Sequence, residues 1–302
     1  MLLEDVLKEF LFDCKLRRLS ERTIKGYKNN NLAFFRYINS EFNIIELEDV
    51  KYTIIQDYIN FLSGKKLKET YINGIIKCFR ALFKYCYDEG YINRNPMDKI
   101  KFQKQPITIT KTFSDEEVSE MVMFYKGNRF LDIRNKLIMV LLFDSGIRNS
   151  ELCGLKMTDI QETHINIMGK GKKQRYVPIT PTINKYLIKY LRVREQYIKD
   201  KNKYETEYLL LSQKGRKLTI ETIERLVVEA GLYAGVRSEV RISPHTCRHY
   251  YAQAQLRNGC DLYTLSKLLG HSNINITKIY LQSMNEDGFL EIATRTTPLS
   301  NL

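Results

Sequence analysis

Apolar residues recur at three- and four-residue intervals along the first part of the chain, in four separate stripes. Leu3, Val6, Phe10 and Cys14 share one helical face. Ser20 is a suitable N-cap for a second helix carrying Ile24, Tyr27, Phe34, Phe35 and Ile38. Val50, Ile54, Ile55, Tyr58 and Leu62 make a third stripe. Ile72, Ile75, Ile76, Phe79, Leu82, Phe83 and Cys86 make a fourth, stopped by Gly90 and then by Asn95-Pro96. Residues 1–100 therefore read as a helical bundle.

The pattern then lapses. Residues 101–111 lack periodicity and carry Lys101, Lys104, Pro106 and Lys111, which reads as a linker. Ser114 and Glu117 form a capping box that opens a second domain, 112–302. Asn135 to Phe143 is an apolar helix broken at Gly146. A β-hairpin is expected over His164–Met168 and Gln174–Ile179, turning at 169–173. Further on, the chain predicts a helix from about Pro181 and a short strand at Tyr208–Leu211. Helices follow over Ile220–Tyr233, from Ser243-Pro244, over Asp261–Leu269 and around Thr277–Leu281. The fold class expected is mainly α with a small β-sheet (α+β).

Length and composition narrow the function. At 302 residues the chain is long enough for two domains. Six scattered cysteines without a CxxC pair imply neither a disulfide framework nor a zinc site, and fit a reducing cytoplasm. The acidic start and the lack of an apolar run near the ~20 residues that span a bilayer argue against export and membrane insertion. The net charge of +13 favours a polyanionic partner. Both domains share it, with 19 Lys+Arg against 14 Asp+Glu up to residue 105 and 29 against 21 beyond. Arg17, Arg18 and Arg22 flank the first interhelical loop, and Lys65, Lys66 and Lys68 fill the third. Charges so placed are usually a solvated face; in so basic a domain they are equally suited to phosphate contacts.

Cleaving a phosphodiester without a metal takes a nucleophile, cations for the non-bridging oxygens and an acid for the departing oxygen. The second domain supplies all three. Arg148 stands in Ser145-Gly-Ile-Arg-Asn-Ser-Glu-Leu152, and His245 and Arg248 in Pro244-His-Thr-Cys-Arg-His249. His271 follows Leu268-Leu269-Gly270, Tyr280 comes nine positions later, and Lys170 lies in the hairpin turn beside Lys172 and Lys173. Taken singly, each residue is better read as structural. Tyr280 is one of 20 tyrosines, His271 and His245 suit helix caps, and Arg148 suits an ion pair with Glu151. His249, next to Arg248, is expected on another helix face in a structural role. Their joint order and spacing is what the structural reading does not explain.

That ordered set resembles the motifs of the tyrosine recombinases, the family of Xer proteins and phage-type integrases, over essentially the whole chain. The resemblance implies a helical core-binding (SAM-like) domain and a mixed α/β catalytic domain forming a C-shaped clamp on DNA. It implies that Tyr280 attacks the scissile phosphate to form a 3′-phosphotyrosyl link, while Arg148 and Arg248 hold the phosphate oxygens. Lys170 would protonate the leaving 5′-oxygen, His271 would bind a non-bridging oxygen, and His245 would assist proton transfer at the tyrosine. Glu151 would orient this cluster, and Lys172 and Lys173 would contact DNA. No metal and no cofactor is expected. The partners implied are paired double-stranded DNA sites and a homo-tetramer of the chain, with no membrane, in the cytoplasm at the nucleoid. The segment 282–302 is expected to be a tail that docks on a neighbouring protomer. Two rivals remain: a type IB topoisomerase using the same chemistry, and a catalytically silent DNA-binding regulator of the same fold. A metal-dependent nuclease is disfavoured, since no carboxylate cluster accompanies the histidines.

Overall fold

The computed structural model describes residues 1–106, 111–169, 174–200 and 206–281. The chain divides into two compact units, Met1–Ile107 and Thr108–Leu302. Among the described residues no helix is long and apolar enough to cross a membrane.

The first unit holds α1 (Leu3–Leu16), α2 (Glu21–Phe42), α3 (Tyr52–Gly64) and α4 (Glu69–Asp88). Each turns its apolar stripe to one core, because burying such a face is what stabilises a short helix in water. Phe34 is central, with ring centroids 4.7 Å from Phe79 and 5.2 Å from Tyr58. A fully buried aromatic of this kind contributes about 1.5–3 kcal/mol. Ser20 caps α2 by accepting from the Thr23 amide. All three interhelical loops turn on left-handed residues that are not glycine, Arg18 (φ 55°), Asn43 (φ 53°) and Lys66 (φ 55°). Beyond α4, Met97 and Ile100 join the core, and Asn73 exchanges reciprocal hydrogen bonds of 2.9 and 2.8 Å with the Gln103 backbone. The start of the 101–111 segment is thereby tied to α4.

The second unit is built around α6 (Phe130–Ser145), buried on all sides from Ile133 to Phe143. It begins earlier than the apolar run from Asn135, because Ile133 already faces the core and Arg134 and Lys136 are buried as well. Arg134 donates to the Leu211 carbonyl at 2.8 Å, and Lys136 to the Val122 carbonyl. Around α6 lie α5 (Asp115–Met123), α7 (Asn149–Gly154), α8 (Pro181–Asp200), α9 (Ile220–Tyr233) and α10 (Pro244–Arg257). Strands β1 (His164–Met168) and β2 (Gln174–Pro178) pair antiparallel, His164 opposite Pro178. After α10 come α11 (Leu262–Leu269) and the short α12 (Asn275–Lys278). Ser114 and Glu117 make the expected capping box.

Three expectations of local structure need correction. Tyr208–Leu211 is no strand; Tyr208 and Leu211 form only single bridges, to Lys156 and Lys217. Its carbonyls are taken by side chains instead, Leu209 by Tyr190 and Arg194 and Leu211 by Arg134. The six-residue α7 is too short for periodicity to reveal. The last described helix ends at Lys278, earlier than the expected 277–281 span. Lys170, Lys172, Lys173 and the tail 282–302 lie outside the described residues.

Candidate active site

The site begins with a glycine. Gly146 ends α6 in the left-handed conformation (φ 58°), and a Cβ there would lie 2.3 Å from the Tyr251 ring, so no other residue fits. The turn delivers Arg148 to the start of α7, its side chain 39% exposed. Glu151, one turn on, reaches back with Oε2 to the Arg148 amide (3.0 Å) and with Oε1 to the Arg148 guanidinium (2.8 Å).

Ser243 caps α10 by accepting from the Thr246 amide, with Pro244 in the first turn. This helix buries Arg248 to 3% exposure. Its Nη1 donates to the Gly146 carbonyl (2.6 Å), and its Nη2 to the Leu269 carbonyl (2.5 Å) and to His271 Nε2 (3.1 Å). One fork therefore joins the turn that presents Arg148 to the turn that presents His271. His271 follows Gly270, the left-handed cap of α11 (φ 64°), and its Nδ1 lies 2.8 Å from Thr277 Oγ1. Since Arg248 can only donate, His271 Nε2 accepts and Nδ1 carries the hydrogen toward Thr277. Burial and the charges of Arg248, Arg148 and Arg175 lower the His271 pKa to about 4, so the ring is neutral.

Tyr280 is buried at 5% exposure, against Tyr251, Leu256, Leu265 and Leu269. Burial pushes its phenol up; the charges of Arg248 and Arg148 and a hydrogen bond with Arg248 pull it down. The tyrosine is thus beside the arginines in the same chain. His245 is exposed, and desolvation of its inner face and the charges of Arg248, Arg241 and Arg148 lower its pKa. Arg248 itself is brought down to about 10, chiefly by burial and then by Arg148 and Arg175. Three guanidiniums stand here around one carboxylate, Glu151, which leaves the site electropositive and suited to an anion.

Of the predicted site residues, Arg148, Glu151, His245, Arg248, His271 and Tyr280 come together around this cluster. Arg17, Arg18, Arg22, Lys65, Lys66 and Lys68 are all exposed in the first unit. Arg17 pairs there with Asp13 at 3.2 Å, and Lys65 lies 4.2 Å from the Phe61 ring centroid.

The model of the "Phage integrase family" matches residues 111–287, and that of the "Phage integrase SAM-like domain" residues 3–103. The chain belongs to the phage integrase family. It is 31% identical to the tyrosine recombinase XerC of Thermodesulfovibrio yellowstonii over 97% of this chain and 96% of that protein. It is 29% identical to the tyrosine recombinase XerD of Oceanobacillus iheyensis, over 92% and 94%. Its fold matches a crystal structure of the XerH site-specific recombinase bound to a palindromic difH substrate in a post-cleavage complex. That match has a TM-score of 0.76 and 23% identity, and covers 97% of this chain and 83% of the other. The chain is a tyrosine recombinase.

Two features of this recombinase escaped the sequence. His249 does not point away: it lies one turn after His245, with ring centroids 4.3 Å apart, and 5.3 Å from the Tyr280 ring. The i,i+4 spacing from His245, rather than adjacency to Arg248, was the signal. Arg175, only 7% exposed, clamps Glu151. Its signal was strand phase, since Arg175 shares the buried face of β2 with Val177, two residues on.

Proposed function

We propose that this recombinase cleaves one DNA strand by attack of the Tyr280 oxygen on the scissile phosphorus. The phosphorus–tyrosine bond forms as the bond to the 5′-oxygen breaks, leaving a 3′-phosphotyrosyl link and a 5′-hydroxyl. His245 helps take the phenolic proton, and Lys170 protonates the departing oxygen. Arg148 and Arg248 hold the non-bridging oxygens with planar forks, and His271 donates to one of them. That last role requires the His271 Nε2 to carry a hydrogen, which an arriving phosphate dianionic in the transition state favours. Rejoining reverses the step with a different 5′-hydroxyl, so the phosphodiester's energy is kept and no metal or cofactor is needed.

The observation that carries this reading is the meeting of Tyr280, Arg248 and Arg148 in one chain. The full reaction is strand exchange between paired double-stranded sites by a homo-tetramer, in the cytoplasm at the nucleoid, with 282–302 docking on a neighbour. Arg17, Arg18, Arg22, Lys65, Lys66, Lys68, Lys172 and Lys173 grip phosphates along the duplex.

The test uses fragmented genomic DNA of the source organism with EDTA present. Wild type should yield a detergent-resistant adduct whose DNA can be sequenced. Tyr280→Phe should bind the same DNA and yield none. An adduct from Tyr280→Phe would end this reading.

A further inference from the structure

Arg175 has no part in the mechanism above, yet all three nitrogens of its guanidinium are engaged within the site. Its Nη1 and Nη2 donate to the two Glu151 oxygens at 2.9 and 2.7 Å, and its Nε to the Leu268 carbonyl at 2.9 Å. Glu151 is thereby held between two guanidiniums, with Arg148 on its other side. Leu268 and Leu269 offer adjacent carbonyls, the first taken by Arg175 and the second by Arg248. Next in the chain comes Gly270, where a Cβ would lie 2.8 Å from Arg175 Cδ, and then His271. The arginine's stem therefore lies against the turn its head group fixes.

Such an arrangement is costly to build. A guanidinium so deeply buried is tolerated only with a paired carboxylate and further acceptors, and Arg175 has both. Lysine cannot replace it, because a single ammonium cannot bridge a carboxylate face-on and hold a carbonyl on its third side. Burial alone would raise the Glu151 pKa, but hydrogen bonds from Arg175 and Arg148 hold it to about 2. The carboxylate stays charged and cannot swing away with Arg148.

We propose that Arg175 is a positioning residue that locks Glu151 beneath Arg148 and fixes the turn presenting His271, setting both phosphate-binding groups before DNA arrives. This inference rests on the recombinase reading and adds to it a residue outside the phosphate's reach. A misplacement near 1 Å at a reacting group can cost about 100-fold in rate, which is the effect expected here.

The test follows single-turnover adduct formation on a nicked duplex made from the captured sequence. Arg175→Met should slow cleavage about 100-fold while DNA affinity stays within about threefold, the mark of a loss confined to the transition state. Arg175→Lys should recover little of it, and Gly270→Ala, which pushes on the same stem, should be slowed as well. Wild-type rates from Arg175→Met would overturn the proposal. So would restoration by sulfur at the bridging 5′ position, because that leaving group needs no proton and the defect would then belong to its protonation. A second readout needs no cleavage. The amides of Gly270 and His271 donate to the Lys267 and Ser266 carbonyls, both at 3.0 Å, and in Arg175→Met they should exchange hydrogen faster while those of α6 are unchanged. Equal acceleration across the unit would reduce Arg175 to a folding residue and overturn its positioning role. If wild type forms no adduct at all, the recombinase mechanism fails, and hydrogen exchange still judges the turn: no change at Gly270 and His271 sinks the inference.

Discussion

Among their described residues, the two units differ most in what they do with charge. The first buries Asn31 and Asn73 but no charged side chain; the second buries Glu117, Arg134, Lys136, Arg175, Arg194 and Arg248. The first is a bundle whose backbone is mostly satisfied within helices; beyond α4, Asn73 bonds the Gln103 backbone and the half-buried Arg80 donates to the Ile100 carbonyl, but no charged side chain there is fully buried. The second contains stretches with no ladder to join, and buried cations satisfy those carbonyls instead. Arg194 holds the carbonyls of Thr206, Tyr208 and Leu209, and Arg134 that of Leu211. Arg248 and Arg175 do the same at the turns after α6 and α11. The candidate site uses a construction already present in the surrounding unit, with one difference: Arg148 and Arg248 also make it electropositive and suited to an anion.

The largest effect should therefore come from breaking a fork that serves both purposes. Arg248→Lys keeps the charge but cannot reach Gly146, Leu269 and the phosphate together. Cleavage should fall by roughly 10²–10³-fold, the loss typical of removing one preorganised donor to a transition-state oxygen. Exposed cations in the first unit should instead change affinity and leave the cleavage rate of bound DNA intact. Single-turnover rates at saturating protein separate the two; a Lys65→Ala variant that slowed cleavage of bound DNA would erase the distinction.

Acid should separate the units next. Glu151 is held near 2 when folded and returns to its ordinary value of 4.5 when unfolded. Above 4.5 it is charged in both states and its favourable pairing counts in full. As the pH falls, the unfolded chain takes up the proton first, so this stability drains between about 4.5 and about 2. The contribution at neutral pH is on the order of 3 kcal/mol. Glu117 is also held to about 2, with burial opposing and Arg237 and Ser114 hydrogen bonds prevailing, and it adds in the same direction. Hydrogen exchange on the full chain should show the second unit opening first over this range. Glu151→Gln should flatten the dependence, and an unchanged acid profile in that variant would refute the assignment.

The same contrast explains what could be read in the sequence. The four helices of the first unit were legible because amphipathic stripes write their burial into the residue pattern. The Arg148, His245, Arg248, His271 and Tyr280 set was legible because order and spacing survive without knowledge of the fold. What escaped depends on contacts between distant segments. The Tyr208–Leu211 stretch looks like a strand from Leu209-Leu210-Leu211, yet Arg194 from α8 and Arg134 from α6 occupy its carbonyls. Arg175 sits in a hairpin otherwise read for its lysines, and only strand phase betrays a buried charge. His249 has Arg248 beside it in sequence, but its neighbour in space is His245, one turn back.

The smallest effect should lie in the first unit, where a residue can be useful for binding and slightly harmful to the fold. Lys66 is exposed and left-handed (φ 55°), a conformation that costs a residue with a Cβ about 1 kcal/mol and glycine almost nothing. Glycine also gains freedom in the unfolded chain, worth about 0.4–1 kcal/mol in the opposite direction, so the two terms nearly cancel. Lys66→Gly should therefore leave stability within about 0.5 kcal/mol of wild type by denaturant titration. Its DNA affinity should fall, and the slope of log affinity against log salt should lessen by about 1, as one phosphate contact is lost. An unchanged slope would make Lys66 a solvated charge and nothing more. A large loss of stability would show instead that this loop is held by the lysine side chain, and the division between a charge-free core and a charge-bearing surface would not hold at that position.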